Sequence, residues 1–299
     1  MKTQAYVIIL MGLYLLTNAN NSFAQLTNVE QVTVFSSRIK NPVVIDVKSD
    51  TNNIYLYAKN NSLYPYYLEI KFAEFQNLSP RVFDKKTILL PGPNRLFTFK
   101  ILDKNEPPSL SYQITYYLAN TNSTEERYNP YLIPIGQNNV VKFSKIKQEE
   151  STKIFIDQFV MGTGDSVFCA RKGVVTALPD NRDEVDRIIN SSLEIRHDDG
   201  TIAMYLGLNP ETIMVKLGQR VFPSQPLGEI GISELLTFKV FEIQDEGKVA
   251  SLEILYVGPN NVLLSSFNIH GLKVVFPGDI IKKEMTKKEI SKYEKNSLF

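Results

Sequence analysis

Histidine and cysteine, the residues that most often bind metals or attack substrates, are scarce in this sequence. There are two histidines, His197 and His270, and one cysteine, Cys169. An intramolecular disulfide, a zinc site made of cysteines and any mechanism that needs three histidines are therefore excluded. Cys169 lies in an apolar run of strand type, which favours a packed thiol over a nucleophile. Both histidines are predicted to make structural hydrogen bonds.

Other kinds of chemistry find little support. The chain has no Walker loop and no Gly-x-Gly-x-x-Gly phosphate cradle, so we predict no bound cofactor. Its 33 basic and 32 acidic residues balance, which argues against nucleic-acid binding as its main role. With 43% apolar and 22% charged residues, the composition is that of a globular protein.

The elements that would position a site are short strands throughout. Residues 25–130 contain apolar or alternating runs rich in β-branched and aromatic residues, separated by Asn, Asp, Ser, Pro and Gly. This spacing predicts an immunoglobulin-like β-sandwich. A polar stretch at 121–130 predicts an interdomain connection, and residues 131–279 again contain short strands. Residues 280–299 are predicted to be a solvated charged tail, with a short amphipathic helix through Met285, Ile290 and Tyr293 as the alternative.

The N-terminus has the pattern of a signal peptide. Lys2 precedes an apolar stretch at 5–16, and Ser22-Phe23-Ala24 is a cleavage pattern of small residues, so residues 1–24 are predicted to be removed. The alternative is an uncleaved anchor, for which the apolar stretch is short. We expect export to the periplasm, the extracellular space or the cell surface, without a membrane span after cleavage.

Five short motifs follow one another between residues 155 and 231. The first, Phe155-Ile156-Asp157-Gln158-Phe159, is similar to an aromatic-x-Ile-Asp-Phe strand. The second, at 164–175, is similar to Gly-Thr-Pro-Val-x-Ala-x-x-x-Gly-Val-Val, and the third, at 195–201, to Ile-x-His-x-Asp-Gly-Thr. The fourth, at 215–221, is similar to Val-x-x-Gly-x-x-Val, and the fifth, at 225–231, to Gln-x-Ile-Gly-x-x-Gly. In this order they resemble the core of the M23 (LytM, lysostaphin-like) zinc endopeptidases.

The resemblance implies an all-β protein in which a sandwich precedes an M23/LytM-like β-sheet domain, a duplicated hybrid motif. M23 enzymes hold a catalytic zinc with His, Asp and His, and further histidines lie beside the activated water. Imidazole ligands and an open fourth position are what lower the pKa of that water.

Most of these functional positions hold other residues here. No histidine precedes His197, so Lys145 or Lys153 is expected at the first ligand position. Asp157 matches the second ligand. The Tyr-x-His-Leu motif is represented by Tyr205-Leu206-Gly207-Leu208, without its imidazole. The His-x-His-Phe strand is Leu235-Leu236-Thr237-Phe238, which retains only the phenylalanine. An ammonium cannot ligate zinc while protonated, and one carboxylate is not a zinc site.

The sequence therefore predicts an exported bacterial envelope protein with a catalytically inactive M23-like domain that binds, scaffolds or regulates. The expected partner is an envelope protein or a peptidoglycan peptide. One alternative is an active cell-wall metalloendopeptidase with an unconventional site. Another is an adhesin that uses a tyrosine-rich surface of the sandwich, formed by Tyr55, Tyr57, Tyr64, Tyr66 and Tyr67.

The vacated groove is predicted to contain Asp157, Tyr205 and Phe238 beside Gly207, Leu235 and Thr237. A buried lone carboxylate is costly, so Asp157 needs a partner. We expect Lys145 or Lys153 to form an ion pair with it in place of the zinc. Any ligand would then bind by shape and by apolar contact with Leu235.

Overall fold

The computed structural model describes residues 7–9, 41–82, 84–121, 129–149, 154–179 and 192–295. The chain divides into two compact units, Met1–Ala119 with Gln244–Lys248, and Asn120–Ile243 with Val249–Phe299. Both units consist mainly of antiparallel strands, which confirms the predicted all-β class. Most of the predicted interdomain connection, residues 122–128, lies outside the described residues.

The first unit contains two four-stranded antiparallel sheets, in the orders β1-β8-β4-β6 and β2-β3-β7-β5. The strands are β1 Val7–Ile9, β2 Val43–Ser49, β3 Asn53–Asn60, β4 Tyr66–Gln76, β5 Leu78–Ser79, β6 Asp84–Leu89, β7 Gly92–Ile101 and β8 Ser109–Leu118. Strand β1, which lies within the predicted signal peptide, pairs with β8.

The two sheets of the first unit pack face to face. Alternate residues of β3, beginning with Ile54 and Leu56, are fully buried, as expected for strands with one face in a core. The ring of Phe72 in one sheet lies 5.8 Å from that of Phe99 in the other. This unit is therefore a β-sandwich. Of the tyrosines proposed for an adhesive surface, Tyr64 and Tyr66 are buried in this core and unavailable to a partner.

The second unit is built on an eight-stranded antiparallel sheet, ordered β15-β12-β13-β14-β17-β10-β9 with β18 beside β17. The sheet strands are β9 Phe143–Glu149, β10 Ile154–Val160, β12 Gly173–Ala177, β13 Ser192–Arg196, β14 Ile202–Leu206, β15 Arg220–Val221, β17 Leu235–Ile243 and β18 Val249–Ser251. Two separate two-stranded antiparallel sheets pair β11 Ser166–Phe168 with β16 Pro226–Glu229, and β19 Tyr256–Val257 with β20 Leu263–Leu264. Among the described residues of this unit, 3₁₀ turns occupy Pro210–Thr212, Pro259–Asn261 and Ser266–Asn268, and another at Asp245–Gly247 belongs to the first unit.

The C-terminal segment is not the solvated tail that the sequence predicts. It forms two helices, α1 Gly278–Lys282 and α2 Lys287–Glu294, and Thr286 and Glu289 form a capping box at the start of α2. Ile281 and Met285 are buried against Leu132, Phe222 and Val257, with Ile290 and Tyr293 packed around them. The amphipathic pattern of this segment therefore stabilises a docked element, because the core offers it an apolar surface.

Among the described residues, no helix combines the length and apolar character that crossing a bilayer requires.

Candidate functional site

Strand pairing assigns the residues of the large sheet to two faces. Directly paired residues of antiparallel strands point to the same side of a sheet. One row of paired residues contains Leu193, Tyr205, Phe238 and Asp157, and all of them are buried. The next row contains Ser192, Leu206, Thr237 and Gln158. Because side chains alternate along a strand, this second row points the opposite way, to what we call the outer face.

Asp157 does not share a face with Thr237 and Leu235, which corrects the sequence prediction. Thr237 is paired with Gln158, and the Gln158 amide nitrogen lies 3.4 Å from the Thr237 hydroxyl. A shift of one residue in the alignment of a strand moves every side chain to the other face. If Thr237 stands where the second ligand imidazole would be, the residue beside it on β10 is Gln158. Asp157 lies two residues before Phe159, which is a core residue, and residues two apart in a strand point to the same face. This spacing is the sequence signal that Asp157 lies on the core side.

Asp157 is instead a buried carboxyl on the core side. It is 7% exposed, and the Tyr256 hydroxyl donates a hydrogen bond of 2.6 Å to its Oδ2 atom. Burial raises the pKa of Asp157, although hydrogen bonds from Tyr256 and Ser266 oppose this effect. A small pocket lies beside Asp157 and is lined also by Phe155, Leu252 and Ser266. In the described structure Asp157 is thus hydrogen-bonded to the hydroxyl groups of Tyr256 and Ser266.

The predicted lysine partners are placed only in part. Lys145 lies on β9 opposite Gln158, whereas Ile146 is opposite Asp157. The side chain of Lys145 and the whole of Lys153 lie outside the described residues. Among the described side chains, no lysine or arginine pairs with Asp157. The ion pair therefore remains a prediction for Lys153, and the backbone register gives it no support for Lys145.

Gly207 occupies a position that no other residue type fits. Its φ angle is +100°, and an ideal Cβ atom built there would lie 2.0 Å from the carbonyl oxygen of Leu235. The Gly207 carbonyl also accepts a hydrogen bond from the backbone N–H of Gly231, which ties two turns together. A histidine at this position would require the ends of β14 and β17 to separate. Backbone thus occupies the space that a side chain at position 207 would need, where the M23 motif has a histidine.

The predicted groove residues Tyr205 and Phe238 are also on the core side. Both side chains have no exposed surface, and their rings lie 4.9 Å apart. The Tyr205 hydroxyl accepts a hydrogen bond from the backbone N–H of Ala170, so this residue has a structural role. Burial raises its pKa far above the ordinary value. Of the predicted groove, only Leu235 and Thr237 point to the outer face, and both are half-buried.

The outer face offers hydrogen-bonding groups and one cation. Besides Gln158 and Thr237 it contains Lys239, which is paired through β14 with Met204 and then with Glu194 on β13. Burial lowers the pKa of Lys239. Glu194 is fully buried and accepts a hydrogen bond from the Ser192 hydroxyl. Within the described ranges, no three His, Cys, Asp or Glu side chains are grouped so that they could hold a metal ion.

Sequence reasoning missed a second cluster of charged residues, at the turn after β11. Arg171 is 2% exposed, and it donates to Glu284 through Nε at 2.9 Å and Nη2 at 2.7 Å. Its Nη1 atom donates to Asp199 at 2.7 Å. The Lys172 ammonium donates to the backbone of Glu284 at 2.7 Å and to Glu289 at 3.0 Å. Two adjacent basic residues in an apolar stretch were the available signal.

His197 lies beside this cluster with a structural role. Its Nδ1 atom donates to the Lys172 carbonyl at 2.7 Å, and among the described atoms its buried Nε2 has no hydrogen-bond partner. Burial and the nearby Arg171 cation lower the pKa of His197 to about 4. The imidazole is therefore neutral at pH 7. His270 is exposed and accepts a hydrogen bond from the backbone of Phe143.

Comparison with known proteins gave structural matches only. No protein-family model and no curated protein matches the chain. A solved structure of Helicobacter pylori Csd3 is 12% identical, covering 86% of this chain and 78% of that one, with a TM-score of 0.30. A zinc-containing peptidase from Vibrio cholerae is 14% identical, covering 75% of this chain and 57% of that one, with a TM-score of 0.25. The interpretation of the site therefore depends on the strand register and the contacts given above.

Proposed function

We propose that residues 131–279 are a degenerate M23-like domain that has no peptidase activity and binds a partner on its outer face. The protein would act as a binding, scaffold or regulatory module of a bacterial envelope, after export and removal of residues 1–24. The expected occupant of the outer face is a peptidoglycan peptide or an envelope protein. The proposal combines the motif order at 155–231 with the register of β10, β14 and β17.

The contact between Gly207 and the Leu235 carbonyl is the observation that carries the loss of activity. A catalytic imidazole needs a side chain at position 207, and an added Cβ would meet that oxygen at 2.0 Å. General acid–base catalysis needs a group positioned within hydrogen-bonding distance of the reacting atoms. Because backbone occupies the space beside position 207, an imidazole has no room there.

The neighbouring groups support the same conclusion. Thr237 stands where the motif has a ligand imidazole, and its hydroxyl contacts the amide of Gln158, the residue paired with it on β10. Neutral oxygens of this kind bind zinc far less well than imidazole or carboxylate. Lys239, two residues further along β17, adds an ammonium to the same face. A fixed cation there opposes the binding of a second cation.

The same three side chains suit a peptide. Gln158 and Thr237 can exchange hydrogen bonds with a peptide backbone, and Lys239 can pair with a carboxylate. Half-buried Leu235 adds apolar contact area at the end of β17. Peptidoglycan peptides and acidic protein segments both present carboxylates and peptide groups, and the sequence leaves both open as partners.

Co-sedimentation of the full mature chain with purified peptidoglycan tests the proposal. We expect binding, no release of soluble peptidoglycan fragments, and no stoichiometric zinc after dialysis against a weak chelator. A Lys239→Met variant should bind about tenfold less, because one charge-assisted hydrogen bond is lost. Lys59→Met, at an exposed lysine of the sandwich, is the matched control and should bind normally.

The outcomes separate the parts of the proposal. Release of fragments together with about one zinc per chain would refute the loss of activity. Equal binding by the Lys239→Met variant and the wild-type protein would refute the assignment to the outer face. If peptidoglycan does not bind at all, the peptidoglycan partner is wrong, and affinity capture from envelope extracts then tests the protein partner with the same pair of variants.

A further inference from the structure

In the docked C-terminal helices, two of the three glutamates face the protein and most lysines face solvent. The segment from Lys282 to Lys295 contains six lysines and three glutamates. Glu284 and Glu289 point inward and are neutralised by the buried Arg171 and Lys172. Glu294, the third glutamate, pairs with Lys282 at 2.8 Å. All three glutamates of this segment thus form ion pairs with basic residues of the same chain.

Five of the six lysines are exposed. The exposed ones are Lys283, Lys287, Lys288, Lys292 and Lys295. Lys288, Lys292 and Lys295 have the i, i+4, i+7 spacing that places them along one side of α2 and its C-terminal end. Within the described part of the chain, Lys283, Lys287, Lys288 and Lys295 form no ion pair. We call this set of five exposed residues the lysine face.

We propose that the lysine face binds the surface of an anionic phospholipid bilayer. The protein as a whole has 33 basic and 32 acidic residues, so the positive charge is a local feature of this face. A fluid bilayer presents many phosphate groups that can arrange themselves under several ammonium groups at once. Clusters of four to eight basic residues on an amphipathic helix typically bind in this way.

The mode of binding follows from the packing of the helices. The apolar side chains of the segment are held by the protein core, since Ile281 and Met285 are buried and Ile290 and Tyr293 pack against them. No apolar group of α1 or α2 is thus left to insert among the acyl chains. Binding should therefore be purely electrostatic and reversible, and screening by salt should abolish it.

Sedimentation with lipid vesicles tests this inference on the full mature chain. The probes are vesicles of phosphatidylcholine containing 30% phosphatidylglycerol and vesicles of phosphatidylcholine alone. At about 0.1 M salt we expect binding to the first and none to the second, with loss of binding at about 0.5 M salt. The triple variant Lys283→Gln, Lys287→Gln, Lys288→Gln should lower the partition coefficient roughly 100-fold.

A matched triple variant removes the same total charge elsewhere. It replaces Lys59, Lys100 and Lys104, which are exposed on the sandwich, by glutamine and should bind like wild type. Circular dichroism serves to check that both variants fold. Equal binding by the first triple variant and wild type, equal loss in the control, or equal binding to neutral vesicles would overturn the proposal. Binding to a soluble polyphosphate without binding to vesicles would also overturn it, and would assign the face to an anionic polymer.

Discussion

Replacing Gly207 by alanine tests whether the backbone of this protein leaves room for a side chain at position 207. The φ angle of +100° is unfavourable for any residue with a Cβ atom, and the added carbon would lie 2.0 Å from the Leu235 carbonyl oxygen. An ordinary carbon–oxygen contact is about 3.3 Å, so the ends of β14 and β17 must move apart by roughly 1 Å. Backbone strain of about 1–3 kcal/mol and a similar cost of overpacking combine to about 2–6 kcal/mol.

That loss is large relative to the whole stability of a domain, which is about 5–15 kcal/mol. Urea unfolding followed by circular dichroism measures it as a shift in midpoint. Gly271→Ala is the matched control, because Gly271 also has a positive φ angle, +77°, but an added Cβ would meet no atom within 4 Å. The control should lose only about 1 kcal/mol.

A Gly207→Ala variant no less stable than Gly271→Ala would refute the argument that backbone closes this position. A Gly207→His variant that folds with wild-type stability would contradict it as well, because the imidazole would then have room.

Three further predictions concern buried ionisable groups. Since the pKa of His197 is lowered from 6.5 to about 4, its contribution to stability is complete above pH 6.5 and is lost as the pH falls toward 4. His197→Asn, which can still donate to the Lys172 carbonyl, should flatten that part of a plot of urea midpoint against pH. The pKa of Asp157 is raised, so the stability that its protonated form contributes is lost as the pH rises. Asp157→Asn should therefore increase the melting temperature at pH 7 and leave it nearly unchanged near pH 3. Glu284→Ala should lower the free energy of unfolding by about 3 kcal/mol, because it leaves the Arg171 guanidinium partly unpaired. Added protease should then cleave α1 and α2 faster than in the wild-type protein. The double variant with Arg171→Met should be cleaved more slowly than Glu284→Ala alone.

Part of the site could be predicted from residue types alone. Because no histidine precedes position 197, no imidazole can stand at the first ligand position of the M23 motif, and Gly207 cannot supply a side chain. The short alternating runs are sufficient for the all-β class, because strand periodicity is a local property of the chain. The prediction that Asp157 shares a groove with Leu235 and Thr237 is wrong, because matching a motif by its letters does not establish strand register. Pairing with β17 decides that register, and a change of one residue reverses the face.

The C-terminal segment shows the same division. Its sequence determines that a helix is feasible, through the Thr286 and Glu289 capping box and the spacing of Met285, Ile290 and Tyr293. Only the tertiary structure decides that the helices dock, because docking depends on an apolar surface and on Arg171 and Lys172, more than a hundred residues earlier in the chain. Composition and periodicity are carried by neighbouring residues and can be read locally. The partners of buried charges, the strand register and the face on which a side chain lies are set by contacts between distant segments, and these exist only in the folded chain.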